Sequence, residues 1–163
     1  MDRLEKALLS DVNLDEVRPK APGDKNPVDH WSPAVLLERA AYLKKMAKHG
    51  DGSASETLKE YPRHCAMLLF RSRDGEAEMH ERFADLFLVL AGKAILVTGG
   101  AIAGARTITP GETRGTSIEG GARQTLRAGD MAHVPAGTPH QMLVKAEEPF
   151  TALVMKVQEV SDL

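Results

Sequence analysis

At 163 residues and a formal net charge of −2, the chain has the length of one domain with a single sizeable core, and its scattered Lys and Arg supply no basic stripe for nucleic acid. Its apolar runs, such as Leu86 to Ala91, are far shorter than the ~20 residues that span a bilayer, so no membrane partner is expected. The opening Met1-Asp2-Arg3-Leu4-Glu5-Lys6 carries an acidic residue and no long apolar core, which does not read as a secretory signal. One cysteine, Cys65, allows no internal disulfide and sits in an apolar run, so it is expected to be an inert buried thiol in a cytoplasmic protein.

Arg3 to Ser10 places Leu4 and Leu8 one helical turn apart, enough for a short helix that needs a packing partner. From Asp11 to Trp31, Pro19, Pro22, Gly23 and Pro27 interrupt a charged stretch, which predicts an extended arm. Ser32-Pro33 is an N-cap followed by proline at the first helical position; the helix should run to about Lys48 and stop at Gly50. Leu36, Ala40, Leu43 and Ala47 form its apolar stripe, and Lys44, Lys45 and Lys48 complement the negative end of its dipole.

Beyond the loop Gly50 to Ser53, strands are expected over 55–60, 64–72, 76–81, 85–90, 93–98, 101–108, 123–127, 131–134, 140–145 and 150–158. Turn signals such as Arg73-Asp74-Gly75 and Gly99-Gly100 separate them, as in hairpin-linked all-β sandwiches and barrels. The intervening Thr109 to Ala122 is glycine-rich and is expected to be a loop, with a lid carrying Arg114 toward an anionic substrate as one use of it. The expected organisation is an arm and helix over residues 1–52 packing on a β domain over 53–163.

Two segments hold the polar groups of interest. In the first, Glu76, Glu78 and His80 share one face of a strand, and Arg82-Phe83-Ala84 returns the chain so that Asp85 comes close to His80. Residues two apart lie about 6.6 Å from each other along a strand face, so Glu78 and His80 can converge on one ion. In the second, Pro135, Gly137 and Pro139 bend the chain before His140, which shares a strand face with Met142 and Val144 and points inward if that face is the core. His133 suits a surface or hydrogen-bonded position, and His30, His49 and His64 have no motif around them. Phe87, Val89, Met142, Met67 and Phe70 are candidate pocket walls, although such stripes are commonly plain core.

The pair of segments resembles the two motifs of the cupin superfamily, in which two histidines and a glutamate from the first and one histidine from the second bind a metal inside a small β-barrel. The second motif is matched at every fixed position from Gly129 to His140, without the Asn that follows three residues later in the family. The first is matched in spacing, with Glu78 at the first histidine position, His80 at the second, Asp85 at the glutamate and Gly92 at the closing glycine. The resemblance implies an all-β fold with an N-terminal helical and extended segment, the double-sheet jelly roll covering about Ser55 to Gln158.

It further implies a divalent metal, with His80 and His140 the foremost ligands, then Glu78, then Asp85, whose shorter side chain would either reach the ion or orient a ligating histidine. Two histidines with carboxylate suit iron, manganese or zinc, and Glu78 in place of histidine disfavours copper. The function expected is metal-dependent chemistry on a small organic substrate (oxygenase, isomerase or lyase-like), with Glu78 as ligand or general base. The alternative is a non-catalytic barrel that binds a small ligand or metal. A homodimer is also expected from the resemblance and the arm. A metal-free sugar epimerase of the cupin type fits poorly, because it needs a tyrosine in the barrel and Tyr42 and Tyr61 fall outside both motifs.

Overall fold

The computed structural model describes residues 27–159. The helix expected over Arg3 to Ser10 and the arm as far as residue 26 lie outside the described residues. Helix α1 (Pro33–His49) starts as its letters require, with the Ser32 hydroxyl accepting the Val35 N–H and proline in the first turn, and Gly50 caps its end through a bond to the Ala47 carbonyl. Ala40, Leu43 and Ala47 are buried along the expected stripe. Arg39 is buried beside them, which its charge did not suggest, because both arms of its guanidinium meet the Glu56 carboxylate.

The strands are β1 (Ser53–Glu60), β2 (His64–Arg71), β3 (Ala77–His80), β4 (Phe83–Ala91), β5 (Lys93–Thr98), β6 (Ala101–Ala103), β7 (Arg106–Thr109), β8 (Glu112–Gly115), β9 (Ser117–Glu119), β10 (Ala122–Arg127), β11 (Met131–Val134), β12 (His140–Leu143) and β13 (Phe150–Gln158). They form a five-stranded sheet in the order β1-β2-β13-β4-β11, a six-stranded sheet in the order β10-β5-β12-β3-β8-β7, and a small β6-β9 ribbon. All the pairings are antiparallel.

Alternation along the strands builds two cores. Phe87 and Val89 of β4 with Phe150, Ala152 and Val154 of β13 face Leu96, Leu126 and Met142 of the other sheet and fill the space between the sheets. The opposite faces of β1 and β2, carrying Leu58, Ala66, Leu68 and Phe70, are covered by α1 together with Trp31 and Tyr42. Phe70 therefore packs under the helix and does not line the interior, while Met67 and Leu69 on the other face of β2 do pack inward.

Several expectations are corrected. The run 101–108 is two strands, β6 and β7, because Gly104 takes a left-handed φ of 61° between them. The loop expected over 109–122 contains β8 and β9, since glycine-rich letters also suit short strands joined by tight turns, and Gly111, Gly120 and Gly121 supply the positive φ those turns need. Although Leu86 to Leu90 is apolar on both faces, β4 leaves Leu88 40 % exposed. Glu76 lies outside β3, exposed and paired with Arg106. Cys65 is half-buried rather than fully enclosed.

Candidate metal centre

Cross-strand register assembles the site. In β3, Glu78 and His80 are two apart and share a face; the β12–β3 pairing sets His140 opposite Glu78, and the β13–β4 pairing sets Lys156 opposite Asp85. The bend before His140 is tied to the strand that carries His80, as the Gly137 N–H donates to the His80 carbonyl over 2.7 Å. Gly137 has a φ of 74° there, which explains a glycine at that point of the motif.

Glu78, His80, Asp85 and His140 thus converge, each offering one donor atom, all within 4.8 Å of one another. His80, Asp85 and His140 are buried at 2 %, 2 % and 3 % exposure, and Glu78 is the more open member. Asp85 Oδ2 lies 3.2 Å from His80 Nε2 and 3.2 Å from His140 Nε2, and Glu78 Oε1 lies 3.3 Å from His140 Nε2. Atoms that bind one ion at about 2.1 Å stand about 3 to 4 Å from each other, so the spacing fits a first-row divalent metal.

The hydrogen bonding fits as well. His140 Nδ1 is 3.0 Å from the Thr138 carbonyl, which can only accept, so Nδ1 carries a proton and the lone pair of the neutral ring is on the inward-facing Nε2. Among the described residues that Nε2 is buried and without a well-aligned hydrogen-bond partner, although carboxylate oxygens of Asp85 and Glu78 lie 3.2 and 3.3 Å away. A cation satisfies all of these atoms together. His80 Nδ1 lies 2.6 to 2.7 Å from the Glu112 carboxylate, an arrangement that fixes the ring and leaves its Nε2 for the cluster.

Two basic side chains complete the surroundings. Lys156 Nζ lies 2.7 Å from His80 Nε2 and 2.8 Å from Asp85 Oδ1, and Arg114 pairs with Glu78. Burial pushes the Asp85 carboxyl up, but an N–H donated by His140 or His80 whenever its Nε2 is protonated, together with the ammonium of Lys156, outweighs it and holds the group far below the usual carboxylate range.

All four residues expected at the site meet here, and Asp85 stands among the donor atoms despite its shorter side chain. Arg114, which the sequence leaves either on a lid facing an anionic substrate or in a solvated loop or subunit contact, sits on β8 and pairs with Glu78. His133 is half exposed near Glu159, and His64 stacks on Tyr61, both away from the cluster. Glu112 and Lys156 were not anticipated. Glu112 lies in a glycine-rich stretch whose letters show no strand period, and its role comes from the β3–β8 register opposite His80. Lys156 was legible: Phe150, Ala152 and Val154 alternate inward along β13, and the next inward position is Lys156.

Two packed antiparallel sheets that bring these two segments together are the cupin jelly roll, and the chain has that fold. A cupin superfamily protein from Desulfitobacterium hafniense aligns over 87 % of this chain and 99 % of its own, with a TM-score of 0.51 and 16 % identity. The protein TT1209 from Thermus thermophilus aligns over 75 % of this chain and 93 % of its own, with a TM-score of 0.53 and 18 % identity. No family model and no curated protein sequence matches the chain.

Proposed function

We propose that this protein is a metal-dependent enzyme of the cupin type acting on a small organic molecule, with His80, His140, Glu78 and Asp85 holding iron, manganese or zinc. The observation that carries the reading is the buried Nε2 of His140, which among the described residues has no well-aligned hydrogen-bond partner and lies within 3.3 Å of two carboxylates. When bound, the metal would supply Lewis acidity for an isomerase or lyase, or activate oxygen for an oxygenase. The chain's part is preorganisation. Glu112 and the Thr138 carbonyl keep both imidazoles in the tautomer that leaves Nε2 free, and the apolar wall of Phe87, Met142 and Val154 restricts water. Glu78, the most open of the four and steadied by Arg114, serves either as a metal ligand or, when uncoordinated, as the base that takes a proton from a substrate at the rim.

A non-catalytic binding barrel is the second reading, and one observation favours it: Lys156 and Arg114 already engage the carboxylates, so protein groups fill part of the site. Elemental analysis of protein purified without added metal, beside His80→Ala and His140→Ala, tests the assignment. Metal in the parent and little in either variant is expected, and equal metal in all three rejects the site. Fast-exchanging water on the loaded protein, read by Mn2+ relaxation, supports the enzyme, while a closed coordination shell supports the binder. A homodimer belongs to the same proposal and is read by light scattering at micromolar concentration.

A further inference from the structure

Lys156 is the one group in the centre that the metal reading does not use. It reaches the cluster as the last inward side chain of β13, its stem beyond Val154 and its register partner Asp85. Its ammonium donates to Asp85 Oδ1 over 2.8 Å and lies 2.7 Å from His80 Nε2. The partner of His80 on its other side decides what that second contact is. The Glu112 carboxylate accepts the Nδ1–H, so in the neutral ring Nε2 presents its lone pair and accepts from Lys156.

An sp2 ring nitrogen has a single lone pair, which can accept an N–H or bind a metal but not both. Asp85 is likewise shared, with one oxygen on Lys156 and the other facing both histidines. Charge points the same way. The carboxylates of Glu78, Asp85 and Glu112 are met by Lys156 and Arg114, leaving the cluster close to balanced before any ion enters. A dication placed next to a retained ammonium would meet like-charge repulsion in a largely buried site.

We propose that Lys156 is a built-in competitor for the metal: its ammonium holds His80 Nε2 and Asp85 in the metal-free protein and must leave them when a divalent ion binds. The inference rests on the metal reading above. The exchange breaks two hydrogen bonds of the ammonium and gives His80 Nε2 and one Asp85 oxygen to the ion, with no change of oxidation state. Lys156 is 25 % exposed, so its long stem has an outward path to water. The device lowers affinity for every divalent ion without removing a ligand.

Calorimetric titration of the metal-free protein with Zn2+ and Mn2+ tests it, comparing the parent with Lys156→Met, which keeps the stem and removes the charge. Lys156→Gln serves as a second neutral variant should the methionine variant fail to fold by circular dichroism. Affinity about tenfold tighter or more is expected in the neutral variants, the scale of a charged hydrogen bond that no longer has to be broken. Binding in the variants alone, with none in the parent, upholds the competition in its strongest form and overturns the metal-dependent function. Equal or weaker binding in folded variants, with the parent binding metal, overturns the role of Lys156 and leaves that function standing. No binding in any of the proteins overturns both.

Discussion

His80 and His140 solve one problem by two local routes. An imidazole that is to bind through Nε2 must keep its proton on Nδ1, and that requires an acceptor beside Nδ1. For His140 the acceptor is the carbonyl two residues earlier, a product of the proline-rich bend; for His80 it is the Glu112 carboxylate from the neighbouring strand. The second route is the more vulnerable to substitution. Glu112→Ala is expected to weaken metal binding by about 10- to 100-fold while the fold is retained, because Glu112 is partly exposed at the end of a strand. Calorimetric metal titration with a far-UV spectrum checks it, and unchanged affinity would remove Glu112 from the site. The histidines were readable as letters because motif spacing names them. Glu112 was not, since nothing in linear spacing says that a residue 32 positions from His80 faces it across a ladder.

At the scale of elements, the turns are as specific as the strands. Gly92 ends β4 and leads into β5 with a φ of 77°, and a Cβ at that position would overlap the Pro149 carbonyl, with the carbonyl carbon itself 2.8 Å away. Backbone cannot step aside as a flexible side chain can, so Gly92→Ala combines left-handed strain with a main-chain collision. A loss of about 2 to 4 kcal/mol in unfolding free energy is expected, read by urea denaturation. A loss below about 1 kcal/mol by the same assay would mean that the β13 entry relaxes at little cost. Most of the strands and the helix were legible from period-two alternation, the Ser32-Pro33 start and the glycine punctuation. Residues 101–122 were not. There the strands are three or four residues long, too short for alternation to show, and Gln141 anchors them from afar by bonding the Gly75 and Thr116 carbonyls and the Ile118 N–H. Such tertiary anchoring has no signature in the segment it anchors.

For the whole molecule, the barrel draws together segments from β3, β4 and β12, so a bound ion crosslinks strands distant in sequence and stabilises the folded state by an amount that rises with the logarithm of its affinity. The pH dependence of that stabilisation identifies the groups that control it. Asp85 has its folded pKa depressed, so its contribution is present above the ordinary carboxylate value and is lost only as the pH falls toward the lower folded value. It therefore stays ionised throughout the range between neutrality and about pH 4. Imidazole behaves oppositely, since coordination needs it neutral and a free imidazole takes up its proton near ~6.5. Metal is thus expected to leave as the pH falls through about 6 to 5, with the melting temperature of the loaded protein converging there on that of the metal-free form. Melting curves of both forms between about pH 8 and pH 4, with metal content measured after dialysis at each point, check the order of events. Release that waits until carboxylates protonate, or full metal at about pH 4, would mean that the imidazoles do not hold the ion.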